Sequence, residues 1–368
     1  MAGGSGSRLW PASTIKNPKQ FMKLPASDKM SFFGAAVERA LAVTAGDGLV
    51  VIVAGENHVS HIVEECTQLE TRDRNRIVLI PEPAAKNTAP AIACALVYLS
   101  QVFPGGERKN LVLTSDHIIE PLDAFKADAE AAAVLAEREK LVVFGIMPGR
   151  PDTGYGYIET TEALDVNQTF TVASFHEKPD LEKAKLFLAS GNYFWNSGMF
   201  AFGLEFMLTE FRKSAPEVLA SFEELPAPVD NFYSQKNGLR ILENWDKLDE
   251  AYRNTKAISF DYAIAEKCSS AAMVRAGFSW ADVGSWDEYA RLNKTTSAEV
   301  YGSKDALDSC YVDSEIPVAL CGVKDLIVVV RPGSDGEPPA ILISKKGETQ
   351  KVREVVEEIK TKGRNELL

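Results

Sequence analysis

Strand-like and helix-like segments alternate through the first half of the chain. Apolar, β-rich runs at 49–53, 76–80, 111–114 and 141–146 are separated by helical patterns at 57–69, 89–102 and 125–139. Continuous apolar strands are buried on both faces, and their alternation with helices indicates a mainly parallel sheet covered by helices. Ligands of such sheets bind beyond the carboxyl ends of the strands. Asp116 follows the third run and is therefore placed at such an end.

The first 21 residues, MAGGSGSRLWPASTIKNPKQF, combine a glycine turn with two cations. Gly3, Gly4 and Gly6 leave backbone N–H groups that an anion can approach without meeting a side chain. Arg8 and Lys19 add positive charge on the same constrained loop. This combination suits a polyphosphate, although it matches neither the P-loop nor the dinucleotide motif. A tight turn followed by a basic surface loop is the alternative interpretation.

Bulk composition excludes several classes of partner. Forty basic and fifty-two acidic residues give a net charge of −12, which argues against nucleic acid or an anionic membrane. No apolar run approaches the ~18 residues of a membrane span. The five cysteines are scattered without a C-x-x-C pair, which indicates reduced thiols in a cytoplasmic protein. His58 and His61 have metal-like spacing, but a polar helix face is the favoured explanation.

The order of short motifs carries a family resemblance. The N-terminal GGSGSRLWPAS and PKQF resemble the signature of the sugar-1-phosphate nucleotidylyltransferases, specifically the mannose-1-phosphate guanylyltransferase branch. The resemblance continues over roughly the first 290 residues through PEPAAKNTAPA (81–91), TSDH (114–117), GYGYI (154–158), FHEKP (175–179), YFWNSGMF (193–200), FDYAIAEK (260–267) and WADVGSW (280–286). It implies a Rossmann-like α/β fold with a mixed, mostly parallel sheet.

The resemblance also implies a reaction. A sugar-1-phosphate oxygen attacks the α-phosphorus of a nucleoside triphosphate, and pyrophosphate leaves. For this branch the substrates are GTP and mannose-1-phosphate, the product is GDP-mannose, and Mg²⁺ is the cofactor. Positioning and electrostatics supply most of the catalysis in such chemistry. No general base is needed, because the attacking phosphate is already an anion.

The implied site draws on most of these motifs. Arg8 and Lys19 would clamp the β- and γ-phosphates, and the glycine turn would face the nucleotide. Asp116 and Asp282 would hold the metal, and Lys178 would pair with the sugar phosphate. Gly156, Glu177 and Asn196 would bind sugar hydroxyls, whereas Glu82, Asn87 and Thr88 would face the base and ribose.

We expect two domains. Residues 1–292 would form the catalytic domain, and residues 293–368 a small β-rich domain that ends in a helix. The β-rich domain would pack on the catalytic domain or on a partner subunit, which leaves a homodimer open. Only Met1 and Ala2 precede the glycine turn, where family members carry an apolar strand. We therefore expect either a start site upstream of Met1 or another segment in that place.

Two other functions stay open at this point. A sister enzyme would use glucose-1-phosphate with UTP or dTTP, although PKQF and WNSGMF argue against it. A catalytically inactive regulatory subunit would bind a nucleotide sugar without turning it over. Such a subunit is expected to lose a phosphate cation or a metal carboxylate, and Arg8, Lys19, Asp116, Lys178 and Asp282 are all present.

Overall fold

The chain folds into two units, each assembled from separated segments. A computed structural model describes residues 1, 7–24, 30–106, 108–166, 168–293, 299–333 and 338–368. The larger unit comprises Met1–Gly3, Ala36–Thr114 and Ile119–Trp280, and the smaller unit comprises Gly4–Ala35, Ser115–Ile118 and Ala281–Leu368. Gly3, Gly4 and Gly6, predicted to face the nucleotide, lie outside the described residues.

The secondary structure is mixed throughout. The helices are α1 (Phe32–Val43), α2 (Val59–Cys66), α3 (Thr71–Arg74), α4 (Thr88–Val102), α5 (Leu122–Ala136), α6 (Leu181–Ser190), α7 (Leu204–Ser214), α8 (Pro216–Glu223), α9 (Leu248–Asn254), α10 (Trp286–Leu292), α11 (Lys304–Ser309) and α12 (Val352–Thr361). The strands are β1 (Val50–Gly55), β2 (Ile77–Glu82), β3 (Lys109–Val112), β4 (Ile118–Glu120), β5 (Leu141–Ile146), β6 (Tyr157–Ala163), β7 (Thr169–His176), β8 (Tyr193–Gly203), β9 (Ser234–Lys236), β10 (Leu239–Ile241), β11 (Ala271–Arg275), β12 (Ser279–Ala281), β13 (Val300–Gly302), β14 (Tyr311–Asp313), β15 (Val318–Leu320), β16 (Leu326–Arg331) and β17 (Ala340–Lys345).

Two large sheets are formed by described residues of the larger unit. One has the strand order β1-β2-β10-β9, and the other has the order β3-β8-β5-β11-β7-β6. The pairs β1–β2, β2–β10 and β5–β11 are parallel, and of these strands the apolar runs predicted β1, β2 and β5. The long strand β8 runs antiparallel to β3, β5 and β6, so antiparallel pairing is more extensive than the sequence pattern suggests. The mixed α/β class that the motifs imply is confirmed.

Strands β1 and β3 are edge strands within the part of the chain that is described. Strand β1 is nevertheless largely buried, with Ile52, Val53 and Ala54 at most 5% exposed. The Met1 ammonium group donates a hydrogen bond to the Leu113 carbonyl, 3.0 Å away, directly after β3. Met1 therefore lies beside the end of the edge strand β3.

The smaller unit is organised around two tryptophans. Trp286 is fully buried at the start of α10, and its indole N–H donates to the Trp10 carbonyl, 2.9 Å away. The Trp10 indole in turn donates to the Leu367 carbonyl at 2.7 Å. Ile327 and Val329 of β16 pack into the same core. The unit therefore combines the segment that follows the glycine turn with the C-terminal residues, whereas the sequence predicted a boundary between 292 and 293.

The C-terminal strands form short ladders. Strand β16 pairs in parallel with β14 and antiparallel with β17, while β13 pairs in parallel with β15. Helix α12 follows, and its Val352 and Val356 are buried against the Trp10 and Trp286 core. The predicted final helix is thus present. No helix in the described ranges has both the length and the apolar character needed to cross a membrane.

Replacement of Trp286 should weaken the smaller unit strongly. Trp286→Ala removes a fully buried indole and leaves the Trp10 carbonyl without its donor. We expect a loss of about 3–5 kcal/mol in the free energy of unfolding, measured by urea denaturation. Ile341→Ala is the control, because this side chain is 61% exposed and its loss should cost no more than about 0.5 kcal/mol. Equal effects of the two substitutions would contradict the proposed core.

Candidate active site

A buried lysine and two aspartates meet in the smaller unit. Lys19 is only 7% exposed, and its ammonium nitrogen lies 2.9 Å from Asp116 Oδ2. The same nitrogen donates a hydrogen bond to the backbone carbonyl of Asp282 and lies 5.6 Å from the centre of the Phe32 ring. Lys19 is therefore not the surface lysine of the alternative interpretation.

The charges around Asp116 keep it ionised. Burial by itself would raise the pKa of the Asp116 carboxyl, but the nearby positive charges of Lys19 and His117 outweigh that effect and hold it below its usual value. His117 Nε2 lies 3.6 Å from Asp116 Oδ1. Asp116 thus supplies a negatively charged oxygen in the loop between β3 and β4.

Asp282 has the opposite environment. Burial raises the pKa of its carboxyl, and the neighbouring carboxylate of Glu288 raises it further. The backbone N–H of Gly284 donates to Asp282 Oδ1 and to Glu288 Oε2, each 3.1 Å away. Val283, which lies between Asp282 and Gly284, has φ of 46°, a conformation that is strained for a β-branched residue. The backbone therefore bends sharply to bring the two carboxylates together.

Glu288 was not among the residues predicted from sequence. The available signal, S-x-x-E at 285–288, describes a capping box, in which the Ser285 hydroxyl accepts from the Glu288 backbone N–H. The structure shows this cap at the start of α10, with an N···O distance of 3.3 Å. The side chain of Glu288 instead lies against Asp282, which the capping pattern does not reveal.

The carboxylates of Asp116 and Asp282 fit a magnesium site that water and substrate oxygens would complete. Mg²⁺ keeps several waters and usually takes only one or two protein carboxylates together with substrate phosphate oxygens. Among the described residues, no group of three or more His, Cys, Asp or Glu side chains is arranged to hold a metal alone. Asp116 and Asp282 come from separate segments and share one ammonium group as neighbour. Their donor atoms suit a cation that also needs the substrate.

Arg8 has a different setting from Lys19. It lies in the 3₁₀ turn Ser7–Leu9 and is exposed, while the adjacent Leu9 is buried. Its charge is therefore accessible to solvent. The assignment of Arg8 to the nucleotide phosphates stays a prediction.

A second group of predicted residues gathers in the larger unit. Tyr157 of β6 pairs with both His176 of β7 and Trp195 of β8, so the three neighbouring positions Gly156, Glu177 and Asn196 lie together. The Asn196 backbone N–H donates to the Gly156 carbonyl at 2.8 Å. With Lys178 and Asp261 these residues form what we call the Asn196 cluster.

Glu177 lies closely against a glycine. A Cβ atom added at Gly156 would lie 2.6 Å from Glu177 Oε2, which is closer than real Cβ contacts allow. Lys178 has φ of 45° and its Nζ lies 2.5 Å from Glu177 Oε1. The hydrogen bond to Glu177 raises the pKa of Lys178. Lys178 remains 62% exposed, so its charge is available to an anion.

Asn196 is held from both ends of its amide. The Oδ1 atom accepts from the Gly198 backbone N–H at 3.1 Å, and the Nδ2 atom donates to Asp261 Oδ1 at 2.8 Å. Burial raises the pKa of Asp261, and the nearby charge of Glu177 raises it further. Asp261 lies in the FDYAIAEK motif, from which no role for this residue was predicted.

The residues predicted to face the base have partners within the protein. Glu82 ends β2 and accepts a hydrogen bond from the hydroxyl of Tyr252 at 3.0 Å, and burial raises its pKa. Asn87 has φ of 70° and caps α4 through a 2.8 Å contact with the Thr88 N–H. Thr88 Oγ1 accepts from the Phe260 backbone N–H at 2.8 Å. These contacts shape the loop between β2 and α4, and ligand contacts of the three residues stay predictions.

Comparison with known proteins places the chain in a family. Residues 1–299 match the model of the nucleotidyl transferases. The chain belongs to the nucleotidyl transferase family. It is 38% identical over 375 residues to mannose-1-phosphate guanylyltransferase of Escherichia coli strain K12, covering 100% of this chain and 74% of the relative. It is 36% identical to mannose-1-phosphate guanylyltransferase ManC of Salmonella typhimurium, covering 100% of this chain and 73% of the relative. The resemblance drawn from the motifs is confirmed, and the chain is a nucleotidyltransferase.

Solved structures give the same relationship. A Thermus thermophilus protein described as mannose-1-phosphate geranyltransferase superposes with a TM-score of 0.78 at 28% identity, covering 98% of both chains. A Helicobacter pylori protein described as mannose-6-phosphate isomerase superposes with a TM-score of 0.59 at 30% identity, covering 72% of this chain and 95% of that one. The fold of this nucleotidyltransferase is therefore shared along nearly its whole length.

Replacement of Gly156 should disturb Glu177 without unfolding the protein. The new Cβ of Gly156→Ala would meet the flexible end of the Glu177 side chain, which can move away. We expect an unchanged melting temperature and a rise of about tenfold or more in KM for the sugar phosphate, as for loss of a charge-assisted hydrogen bond. Gly149→Ala is the control, because nothing lies within 4 Å of its added Cβ. An unchanged KM in Gly156→Ala would contradict the role of this contact.

Proposed function

We propose that this nucleotidyltransferase transfers GMP from GTP to mannose-1-phosphate and releases pyrophosphate. The observation that carries the proposal is similarity over the whole chain, at 38% identity, to a relative with the name mannose-1-phosphate guanylyltransferase. The gathering of Gly156, Glu177 and Asn196 around one point supports it. These are the residues that the family pattern assigns to the sugar.

The reaction requires a charged oxygen to approach a charged triphosphate. The sugar phosphate oxygen forms a new bond to the α-phosphorus, the bond between the α-phosphorus and its bridging oxygen breaks, and pyrophosphate takes the electron pair. We assign the sugar phosphate to the exposed Lys178 and the β- and γ-phosphates to Arg8 and Lys19. Each cation lowers the electrostatic cost of binding the anion that is assigned to it.

Asp116 and Asp282 are the residues that we assign to Mg²⁺. When bound, the cation neutralises charge on the triphosphate and on the departing pyrophosphate. The role of the protein is to keep Asp116 ionised through Lys19 and His117 and to hold Asp282 on the strained turn at Val283. Asp282 and Glu288 both accept the Gly284 N–H, so this backbone group holds the two carboxylates next to each other.

Selection of the sugar rests on hydrogen bonds. Mannose and glucose differ in the orientation of the 2-hydroxyl, and a site built to bind one orientation leaves its polar groups unpaired with the other. Glu177 offers acceptors and Asn196 offers both a donor and an acceptor. We assign the discrimination between the epimers to this pair.

Setting and assembly follow from the same reasoning. All five cysteines are free thiols, and Cys66, Cys94 and Cys268 are buried, which suits a reducing cytoplasmic location. The small-molecule partners are GTP and mannose-1-phosphate. A homodimer through the C-terminal strands stays a prediction.

A pyrophosphate-release assay tests the proposed substrates. Each of the four common nucleoside triphosphates is offered with mannose-1-phosphate and with glucose-1-phosphate. We expect the highest kcat/KM for GTP with mannose-1-phosphate. A higher value for glucose-1-phosphate with UTP would establish the sister activity instead. If no pair released pyrophosphate while GDP-mannose still bound, the protein would be a regulatory subunit.

Removal of either metal carboxylate should lower turnover. Asp116→Asn and Asp282→Asn should each reduce kcat by roughly 100-fold or more, since a bound divalent cation supplies several kcal/mol of charge stabilisation. Chelation by EDTA should abolish turnover, and added Mg²⁺ should restore it. Asp128→Asn is the matched control, because Asp128 is also a partly buried aspartate that accepts a backbone N–H, from Gly277 at 2.7 Å. Near-normal kcat in both site variants at saturating Mg²⁺ would contradict the assignment of Asp116 and Asp282 to the metal.

A further inference from the structure

We propose that Asp261 is a positioning residue that orients the Asn196 amide toward the sugar. The inference rests on the proposed function and extends it, because it names a residue to which the sequence assigned no role. Asp261 Oδ1 accepts the hydrogen bond from Asn196 Nδ2 at 2.8 Å. Asp261 begins a π-helical turn that runs to Ala265, on a segment remote in sequence from β8.

The Asn196 amide needs such a partner to have a defined orientation. A carboxamide has two N–H donors and an oxygen with two lone pairs, and rotation by 180° exchanges the two ends. The Gly198 N–H requires the oxygen on one side, and the Asp261 carboxylate requires the nitrogen on the other. After these two bonds, one N–H and one lone pair of Asn196 are left. A donor and an acceptor at one amide fit a sugar hydroxyl.

The position of Asp261 is itself fixed by the backbone. The N–H of the preceding residue, Phe260, donates to Thr88 Oγ1 at 2.8 Å, and the N–H of Ala89 donates to the Ile258 carbonyl at 3.1 Å. Phe260 is fully buried. The start of α4 thus holds the segment that carries Asp261. Through Phe260 and Asp261 the predicted nucleotide-facing residue Thr88 is connected to the predicted sugar ligand Asn196.

Fold stability does not explain a carboxylate at this place. Asp261 is half-buried and faces the negative charge of Glu177, and both burial and that charge raise its pKa. Ionised Asp261 is therefore a cost to the folded state at neutral pH. Residues that break a stabilising rule in this way are concentrated at functional sites. A neutral Asn at 261 would keep an acceptor for Asn196 without the charge.

A double-mutant cycle tests the proposal. Asp261→Ala should raise KM for the sugar phosphate by about three- to tenfold, the value of one hydrogen bond, with KM for the nucleotide unchanged. Asn196→Ala should have at least the same effect. In the Asn196→Ala background, Asp261→Ala should add less than about twofold, because its effect passes through Asn196. The cycle uses whichever sugar phosphate the wild-type enzyme turns over best.

Two further variants separate positioning from other roles. Asp261→Asn should restore KM to within about twofold of wild type, since its amide oxygen still accepts from Asn196. Asp128→Ala is the control, because Asp128 also accepts a hydrogen bond, from the Gly277 N–H, and its pKa is also raised by burial. It should leave KM unchanged. Additive effects in the cycle, or equal damage in Asp261→Asn and Asp261→Ala, would overturn the proposal.

A substrate-free measurement keeps this inference distinct from the substrate assignment. The side-chain NH₂ resonances of Asn196, identified by their loss in Asn196→Ala, should shift in Asp261→Ala and stay close to wild type in Asp261→Asn. Unchanged resonances in Asp261→Ala would overturn the proposal even if the enzyme used mannose-1-phosphate. Shifted resonances in a protein that used another sugar phosphate would support it while the proposed substrate failed.

Discussion

The buried ammonium group of Lys19 joins all three segments of the smaller unit. Lys19 lies in the first segment, Asp116 in the second and Asp282 in the third. A lysine with so little exposure is costly unless its charge is balanced. Asp116 supplies that balance, and in return the lysine keeps Asp116 ionised. The same ion pair that holds the segments therefore also maintains the negative oxygen that a metal needs.

Local motifs in the sequence suggest only some of the residues that the structure brings together. Five of the residues assigned to the site stand in short runs whose order resembles a family, which is why a sequence alone can suggest them: Lys19, Asp116, Asp282, Lys178 and Asn196. Glu288 and Asp261 could not be suggested in this way, because their importance comes from contacts between residues that no motif connects. Asp261 is 65 positions from Asn196, with which it forms a hydrogen bond. The sequence around Glu288 indicates only a helix cap, and the cap does not reveal the contact with Asp282. Short motifs do not predict contacts between residues that are distant in the sequence.

The fold shows the same division. Strands β1, β2 and β5 are continuous apolar runs, and the sequence placed them correctly because burial on both faces leaves a plain signal. The antiparallel ladder around β8 was not foreseen, since its strands mix buried and polar positions that serve the Asn196 cluster. Trp10 and Trp286 are 276 positions apart in the sequence, and no local pattern indicates that they pack together. The predicted boundary near 292 therefore separated residues that share one core.

Backbone strain and charge crowding occur together beside the predicted ligands. Val283 and Lys178 both have φ near 45°, although neither is glycine, and each adjoins a carboxylate of the site, Asp282 or Glu177. Such conformations cost on the order of 1–3 kcal/mol and persist only where the surroundings enforce them. Val283 is fully buried, which supplies the enforcement at Asp282. Lys178 is exposed, and its ammonium group is paired with Glu177, whose carboxylate can approach Gly156 because that residue has no side chain. The strained backbone at Asp282 is therefore enforced by core packing, whereas the one at Lys178 adjoins an exposed ion pair.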